Sequence, residues 1–360
     1  MSYEYLNTRL RFMKMRLLTP QQFKSLIELR DLEEMIHALA ETDYGPEIET
    51  SSLEYSGYAL IENALVQHVQ RVFSKLFRMA FDDARILMRV LLERFEVFNL
   101  KTILRGFHVE ADPEETALSL FPTILYPTAF YGELLKRDGI SAVIDYLLSV
   151  GNRYYKPLSA TYAEYEASGK LAVLESAIDS FYFQGSRQTL QSLGDENAVL
   201  VRQLLCTETD IQNLEYAFRV VEAGVESEEK YRYILKGGER LDEEFVRDLL
   251  SSPDKPSFVR KLSGTYYQKR LGEIEETITA NDFQERLEDL LYQENCRLDP
   301  GRLFDIHLAS AYIWRVNVEV TNLRVIAMGH WRKAPWEEVD KRLIWVEGMM
   351  PERGAVRGAV

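Results

Sequence analysis

The sequence has few cysteines and histidines, and this scarcity excludes several kinds of site. Its 360 residues include only two cysteines, Cys206 and Cys296. They are too few for a disulfide framework and belong to no paired-cysteine motif, so we expect two reduced thiols. None of the five histidines has the spacing of a zinc motif. They are His37, His68, His108, His307 and His330.

Long apolar runs and nucleotide-binding loops are also missing. No apolar run approaches the ~18 residues of a membrane helix, and residues 1–5 lack the pattern of a secretory signal. The sequence contains no Gly-rich loop ending in Gly-Lys-Ser/Thr, no dinucleotide fingerprint and no nucleophile motif. We therefore expect a cytoplasmic, non-catalytic protein that requires no cofactor, no metal and no direct nucleotide.

The charge is acidic overall but unevenly distributed. Lys and Arg total 43 against 57 Asp and Glu, a net charge of −14, which argues against nucleic-acid binding. Residues 1–24 hold five bases and one acid, whereas residues 271–300 hold nine acids and two bases. Solvated helix faces are the simpler interpretation of both runs, and contact with an oppositely charged partner is the alternative.

Apolar residues recur at spacings of three and four through most of the chain, which predicts an all-α fold. The 360 residues are enough chain for two or three units with cores of their own, and the hydrophobic content of 46% is typical of a folded protein. Alternating strand patterns are scarce. The clearest predicted helices are 64–80, 84–105, 171–183, 243–250, 282–293 and 303–328.

An acid-x-x-Asn-Leu motif occurs three times. The three pairs of acid and amide are Glu96 with Asn99, Asp210 with Asn213, and Glu319 with Asn322. The asparagines are 114 and 109 residues apart, and three upstream acids, Glu62, Glu175 and Glu288, are 113 apart. Features that recur in one order at one period indicate repeated structure. We predict helical units at 1–115, 116–230 and 231–350, with a flexible tail at 351–360.

The polar pairs lie on helix faces that are otherwise apolar. A buried amide without a partner costs about 1–3 kcal/mol, so buried pairs must be hydrogen-bonded. One interpretation is that they fix the register between helices. The alternative is that they line a shared central cavity into which a partner inserts.

The three motifs, together with the opening Tyr5-x-Asn7-x-Arg9, resemble the C subunit of the archaeal and bacterial A/V-type rotary ATPases, the counterpart of the d subunit in the vacuolar proton pump. The resemblance extends from Tyr5 to about Val346. It implies three units packed about a pseudo-threefold axis into a funnel. Two positions depart from the repeat, because Glu215 and Met328 stand where the other copies have basic residues.

The resemblance also implies a function. A protein of this family is a rotor adaptor that couples the central stalk to the membrane rotor ring during ATP-linked proton or sodium-ion transport. We would then expect one copy per complex, peripheral on the cytoplasmic face, touching the membrane only through the ring. Four bases that project from the repeated helices are expected near the stalk socket. They are Lys101, Arg105, Arg219 and Arg324.

The residues alone support only a helical repeat scaffold. A free-standing repeat protein that binds a peptide is therefore the competing hypothesis. The two hypotheses differ in whether the repeats close into a ring. An open array of repeats needs polar capping units at both ends, and a closed ring does not. A helical hydrolase with an unrecognised site is a third possibility, and no residue cluster in the sequence supports it.

Overall fold

The computed structural model describes residues 2–297 and 305–351, and every regular element in these ranges is a helix. The prediction of an all-α fold is thus confirmed for the described part of the chain. The predicted break at Asp299-Pro300-Gly301, the start of the helix predicted from residue 303, and residues 352–360 of the predicted tail lie outside the described residues.

The chain divides into two compact units. The first contains residues 1–92, 121–127 and 292–360, and the second contains residues 93–120 and 128–291. The division passes through two continuous helices, α6 (Asp82–His108) and α16 (Ala280–Cys296). The three-unit boundaries from the sequence stay a prediction.

Among its described residues, the first unit contains seven whole helices, the first part of α6 and the last turn of α16. The whole helices are α1 (Ser2–Lys14), α2 (Pro20–Ile27), α3 (Leu32–Ala40), α4 (Gly45–Ser51), α5 (Gly57–Met79), α17 (His307–Arg332) and α18 (Trp336–Arg342). Helix α17 packs against α1, α3, α5 and α18. It is the centre of this unit because it is apolar on nearly all sides.

The second unit contains the rest of α6 and the intervening helices. They are α7 (Pro113–Leu118), α8 (Thr128–Leu135), α9 (Ile140–Ser149), α10 (Tyr155–Ser168), α11 (Ala172–Leu193), α12 (Glu196–Glu222), a 3-10 helix (Glu228–Tyr233), α13 (Glu243–Leu250), α14 (Lys255–Leu262), α15 (Tyr266–Leu271) and most of α16. Phe218, Phe258 and Phe283 pack ring against ring in the core around α12. This aromatic cluster joins α12 to α14 and α16.

All six predicted helices exist, but several ends differ. Helix α5 begins at Gly57, before the predicted start at 64, and α11 continues to Leu193, beyond the predicted end at 183. Helix α11 ends where Gly194 takes a left-handed conformation and its N–H caps the carbonyl of Leu190. Gly185, which lies inside α11, does not interrupt it.

Three short helices followed by two long ones occur three times along the chain. The sets are α2, α3, α4, α5 and α6, then α8, α9, α10, α11 and α12, then α13, α14, α15, α16 and α17. The acid-x-x-Asn motif lies on the second long helix of each set, on α6, α12 and α17.

Candidate functional site

The acid of each motif is buried and accepts a hydrogen bond from a tyrosine hydroxyl. Relative exposures of these acids are at most 1%. The oxygen–oxygen distances are 2.8 Å from Tyr131 to Glu96, 2.8 Å from Tyr267 to Asp210 and 2.7 Å from Tyr44 to Glu319. Each tyrosine comes from a different part of the fold, so every acid joins the long helix that carries it to a second element.

Asn213 and Asn322 each hold an extended segment that lies 22 residues further along the chain. Asn213 donates to the carbonyl of Leu235 at 2.8 Å and accepts from its N–H at 2.9 Å. Asn322 does the same with Ile344, at 2.9 and 2.8 Å. An amide side chain supplies one donor and one acceptor in this geometry, so it can pair with both backbone groups of one residue. Asn99 is fully buried at the equivalent position of α6.

These contacts favour the register interpretation over cavity lining. The partners of Asp210, Asn213, Glu319 and Asn322 include backbone groups of segments that follow or precede the helix. A side chain that pairs with both backbone groups of one residue fixes how that segment lies along the helix. We therefore interpret the polar pairs as structural groups that set the register of neighbouring elements.

Glu319 is a buried carboxyl with a raised pKa. Its Oε2 accepts from the N–H of Leu18 at 2.6 Å, and its Oε1 accepts from Tyr44. Burial raises the pKa of Glu319 to about 7, and the two hydrogen bonds only partly oppose this increase. The Tyr44 phenol keeps its proton, because burial and the nearby Glu319 carboxyl raise its pKa well above the usual value.

The side chain of Asp210 lies so close to the backbone at position 238 that this position requires glycine. Its Oδ2 accepts from the N–H groups of Arg240 at 2.8 Å and Glu239 at 3.2 Å, in addition to Tyr267. The backbone at Gly238 approaches so closely that a β-carbon there would overlap Oδ1 of Asp210 and lie 2.6 Å from the carbonyl oxygen of Leu241. Only glycine fits this approach without displacing the loop.

The four basic residues predicted near the stalk socket all have partners within the chain. Lys101 binds Asp179 at 2.7 Å, Arg105 binds Glu175 at 2.5 Å, and Arg324 binds Glu62 at 3.1 Å. In each of these pairs a base on α6 or α17 contacts an acid on a neighbouring long helix. Arg105 remains about half exposed, whereas Lys101 and Arg324 are mostly covered. Their contact with a central stalk stays a prediction.

In the second copy of the motif, the neutral Gln284 lies between the base on α12 and the acid on α16. Glu215 stands where the other copies have Lys101 and Arg324, and it pairs with Arg219 one turn further on, at 3.3 Å. Arg219 also donates to the side-chain carbonyl of Gln284, whose amide donates to Glu288 at 2.6 Å. The glutamine therefore connects the base on α12 to the acid on α16.

A largely buried cluster of Glu47, His68 and Arg71 lies beside Tyr44, and no pattern in the sequence predicts it. Glu47 contacts Arg71 at 2.5 Å and His68 at 3.5 Å, and His68 stacks on the Tyr44 ring with centroids 3.9 Å apart. Burial raises the pKa of Glu47, but hydrogen bonds from His68 and Arg71 outweigh it and lower the net value. Through His68 the cluster contacts the ring of Tyr44, whose hydroxyl donates to Glu319. His68 and Arg71 lie 21 and 24 residues after Glu47 in the sequence, and this spacing matches no known motif.

The described residues contain no group of three or more His, Cys, Asp or Glu side chains that is placed to bind a metal ion. Cys206 and Cys296 are both buried free thiols. No helix in residues 2–297 and 305–351 has the length and apolar character that a bilayer crossing requires.

Comparison with known proteins identifies the family. Residues 6–342 match the family described as ATP synthase (C/AC39) subunit. The C subunit of the A-type ATP synthase of Methanocaldococcus jannaschii is 26% identical over 95% of this chain and 86% of that protein. The proteins of the same name from Methanococcoides burtonii and Haloferax volcanii are 27% and 28% identical, over 95% and 91% of this chain and 94% and 92% of their own lengths. The resemblance drawn from the repeated helices is thereby confirmed. The chain belongs to the ATP synthase (C/AC39) subunit family.

Proposed function

We propose that this chain is a non-catalytic rotor adaptor of an A/V-type ATPase, which connects the central stalk to the membrane rotor ring so that ATP chemistry and ion movement stay coupled. The family match over residues 6–342 carries this proposal. The relatives are named as subunits of A-type ATP synthases, so the partners belong to the same complex. The transported ion would be a proton or sodium.

The fold proposed with this role is three equivalent units about a pseudo-threefold axis, in the funnel that the family resemblance implies. The repeated order of helices, the acid–tyrosine bond of all three motifs and the backbone bonds of Asn213 and Asn322 support it. An adaptor under torque must resist shear between its helices. Directional hydrogen bonds that are buried in an apolar core provide that resistance, because breaking one leaves unpaired polar groups at a cost of about 1–3 kcal/mol each.

Contacts between the two ends of the chain favour a closed body over the alternative, a free-standing open array of repeats. Tyr44 binds Glu319, Arg324 binds Glu62, and the His330 ring lies 2.9 Å from the Leu26 carbonyl. These contacts join residues that are 262 to 304 positions apart in sequence. In an open solenoid each unit contacts only its sequence neighbours, so the first and last units do not meet.

Affinity purification of the tagged full chain from detergent-solubilised native membranes tests the adaptor role. The proposal expects the stalk and ring proteins to copurify, with one copy of this chain per complex by native mass spectrometry. Peptides or unrelated soluble proteins as the main partners, without stalk or ring proteins, would favour the free-standing scaffold instead.

A further inference from the structure

One face of helix α1 exposes large apolar side chains among basic ones. Tyr5, Arg9 and Phe12 are spaced by four and three residues, which places them on one side of the helix, and Met15 and Arg16 follow in the turn that ends it. Tyr5, Phe12 and Met15 are 52%, 65% and 81% exposed. We refer to these five residues as the α1 outer face.

The other side of α1 is firmly attached to the first unit. Leu6, Leu10 and Met13 are buried, and the side-chain amide of Asn7 donates to the carbonyl of Asp305 at 2.9 Å. The helix is therefore held in place, and the α1 outer face exists before any partner binds.

A pocket of about 330 Å³ opens beside this face. It is lined by Arg9, Phe12, Met13 and Arg16 of the N-terminal segment and by Lys75 of α5, so three bases and two apolar side chains surround it without an acid. Arg16 contacts Asp43 at 2.9 Å. Within residues 2–297 and 305–351, neither Arg9 nor Lys75 forms an ion pair with a carboxylate. The pocket thus concentrates positive charge on a chain whose net charge is −14.

The segments of this chain outside the described residues do not supply a matching negative charge. Residues 298–304 contain one acid and one base, and residues 352–360 contain one acid and two bases. We therefore look for the complement of the α1 outer face in another molecule. The face combines guanidinium groups, which can bind phosphate, with exposed aromatic and thioether side chains.

We propose that the α1 outer face and Lys75 bind the surface of a lipid bilayer that contains anionic phospholipids. Arg9, Arg16 and Lys75 contact headgroup phosphates, while Phe12 and Met15 enter the boundary between headgroups and acyl chains. Helices at membrane interfaces combine these residue types in this arrangement. This direct lipid contact departs from the expectation that the chain touches the membrane only through the ring, and the proposal does not depend on the adaptor role.

A bilayer fits this surface better than an acidic protein segment does. Carboxylates would pair with Arg9 and Lys75, but they would leave Phe12 beside charge and water. A bilayer interface accepts the cations and the apolar side chains together. Because the chain is acidic overall, repulsion from anionic lipids also favours an approach with this basic face.

Flotation of the purified full chain with vesicles tests the proposal. The probes are vesicles of phosphatidylcholine alone and of phosphatidylcholine with about one third phosphatidylserine. We expect binding to the anionic vesicles, weakened by salt, and little binding to the neutral ones. Since each basic residue near an anionic surface contributes roughly fivefold, Arg9→Gln with Lys75→Gln should lower the partition coefficient about 25-fold. Phe12→Ser should lower it as well.

Matched control variants separate this face from general charge effects. Arg202→Gln with Lys269→Gln removes two exposed bases elsewhere, and Leu53→Ser removes an exposed apolar side chain, so both should bind like the unmodified chain. All these variants should melt at unchanged temperatures because the altered side chains are at the surface.

Three results would overturn the proposal. The first is absence of binding to the anionic vesicles, and the second is equal binding by the Arg9/Lys75 variant and its control. The third is light scattering that shows a dimer of the isolated chain, abolished by the same variant, without vesicle binding, which would assign the face to a second copy. None of these results would contradict copurification with the stalk and ring.

Discussion

Glu319 makes the stability of the first unit depend on pH, and glutamine at this position should remove that dependence. The carboxyl is buried beside Tyr44 and the Leu18 N–H, and burial raises its pKa to about 7 from an ordinary value of 4.5. In the folded state it therefore keeps its proton to a higher pH than in the unfolded state. The glutamine amide has nearly the same shape, accepts from Leu18 and donates to the Tyr44 oxygen, and does not titrate.

The sign of the effect follows from proton linkage. Between about pH 4.5 and pH 7 the folded state binds more protons at Glu319 than the unfolded state, so the free energy of unfolding falls as the pH rises through this window. One pKa unit corresponds to about 1.4 kcal/mol, so the full contribution is about 3 kcal/mol. The free-energy difference between Glu319→Gln and the unmodified chain should thus be constant below pH 4.5, rise by about 3 kcal/mol, and become constant again above pH 7.

Urea denaturation followed by circular dichroism, repeated from about pH 4 to about pH 8, measures this difference. Other buried acids, including Asp210 and Glu208, also have raised pKa values, but they titrate equally in both proteins and cancel. Glu33→Gln on the exposed face of α3 is the matched control and should show no such step. A flat difference between Glu319→Gln and the unmodified chain across the whole range would refute the reasoning about this buried carboxyl.

Three further perturbations test separate contacts. Gly238→Ala should lower the melting temperature by several degrees because its β-carbon has no space, whereas Gly132→Ala, where nothing lies within 4 Å, should leave it unchanged or raise it; equal effects would contradict this. Asn322→Ala should reduce the free energy of unfolding by about 1–3 kcal/mol in urea titrations, since it leaves both backbone groups of the partly buried Ile344 without their side-chain partner, and a loss below about 0.5 kcal/mol would be inconsistent with the observed bonds. Reversing the charges of Arg105 and Arg219 together should weaken binding of the central stalk in pull-down assays and make the remainder more salt-sensitive, with helix content unchanged; normal binding at physiological ionic strength would locate the stalk contact elsewhere.

The positions of the long helices could be predicted because each has an apolar face that recurs every three to four residues. Their ends could not, because ends depend on capping geometry. Gly194 ends α11 through a left-handed backbone conformation, whereas Gly185 inside the same helix leaves it continuous. The sequence pattern does not distinguish these two glycines.

The polar pairs could be recognised for a related reason. An acid and an asparagine on an apolar face are conspicuous, and their recurrence on three helices indicates a shared role. Their partners could not be predicted, because Tyr44 and Glu319 are 275 residues apart and only the tertiary fold brings them together. Gly238 similarly has the sequence context of an ordinary turn residue, and its close approach to Asp210 depends on the loop path.

The exposure of the basic residues could not be predicted from the pattern of a single helix. Lys101 and Arg324 project away from the apolar face of their own helices, which suggests exposure to a partner. In the structure each contacts an acid of a neighbouring helix, Asp179 and Glu62. A residue that points away from one helix core can still be covered by another helix, and periodicity along a single helix does not contain that information.

Ion translocation measured alongside ATP hydrolysis, in vesicles that contain the reconstituted ATPase with and without this chain, tests the adaptor role most directly. We predict that complexes assembled without the chain hydrolyse ATP but move no ions, and that adding the purified full chain restores ion movement driven by ATP. Full ion translocation per ATP in complexes that lack the chain would contradict the proposal that it couples the stalk to the ring.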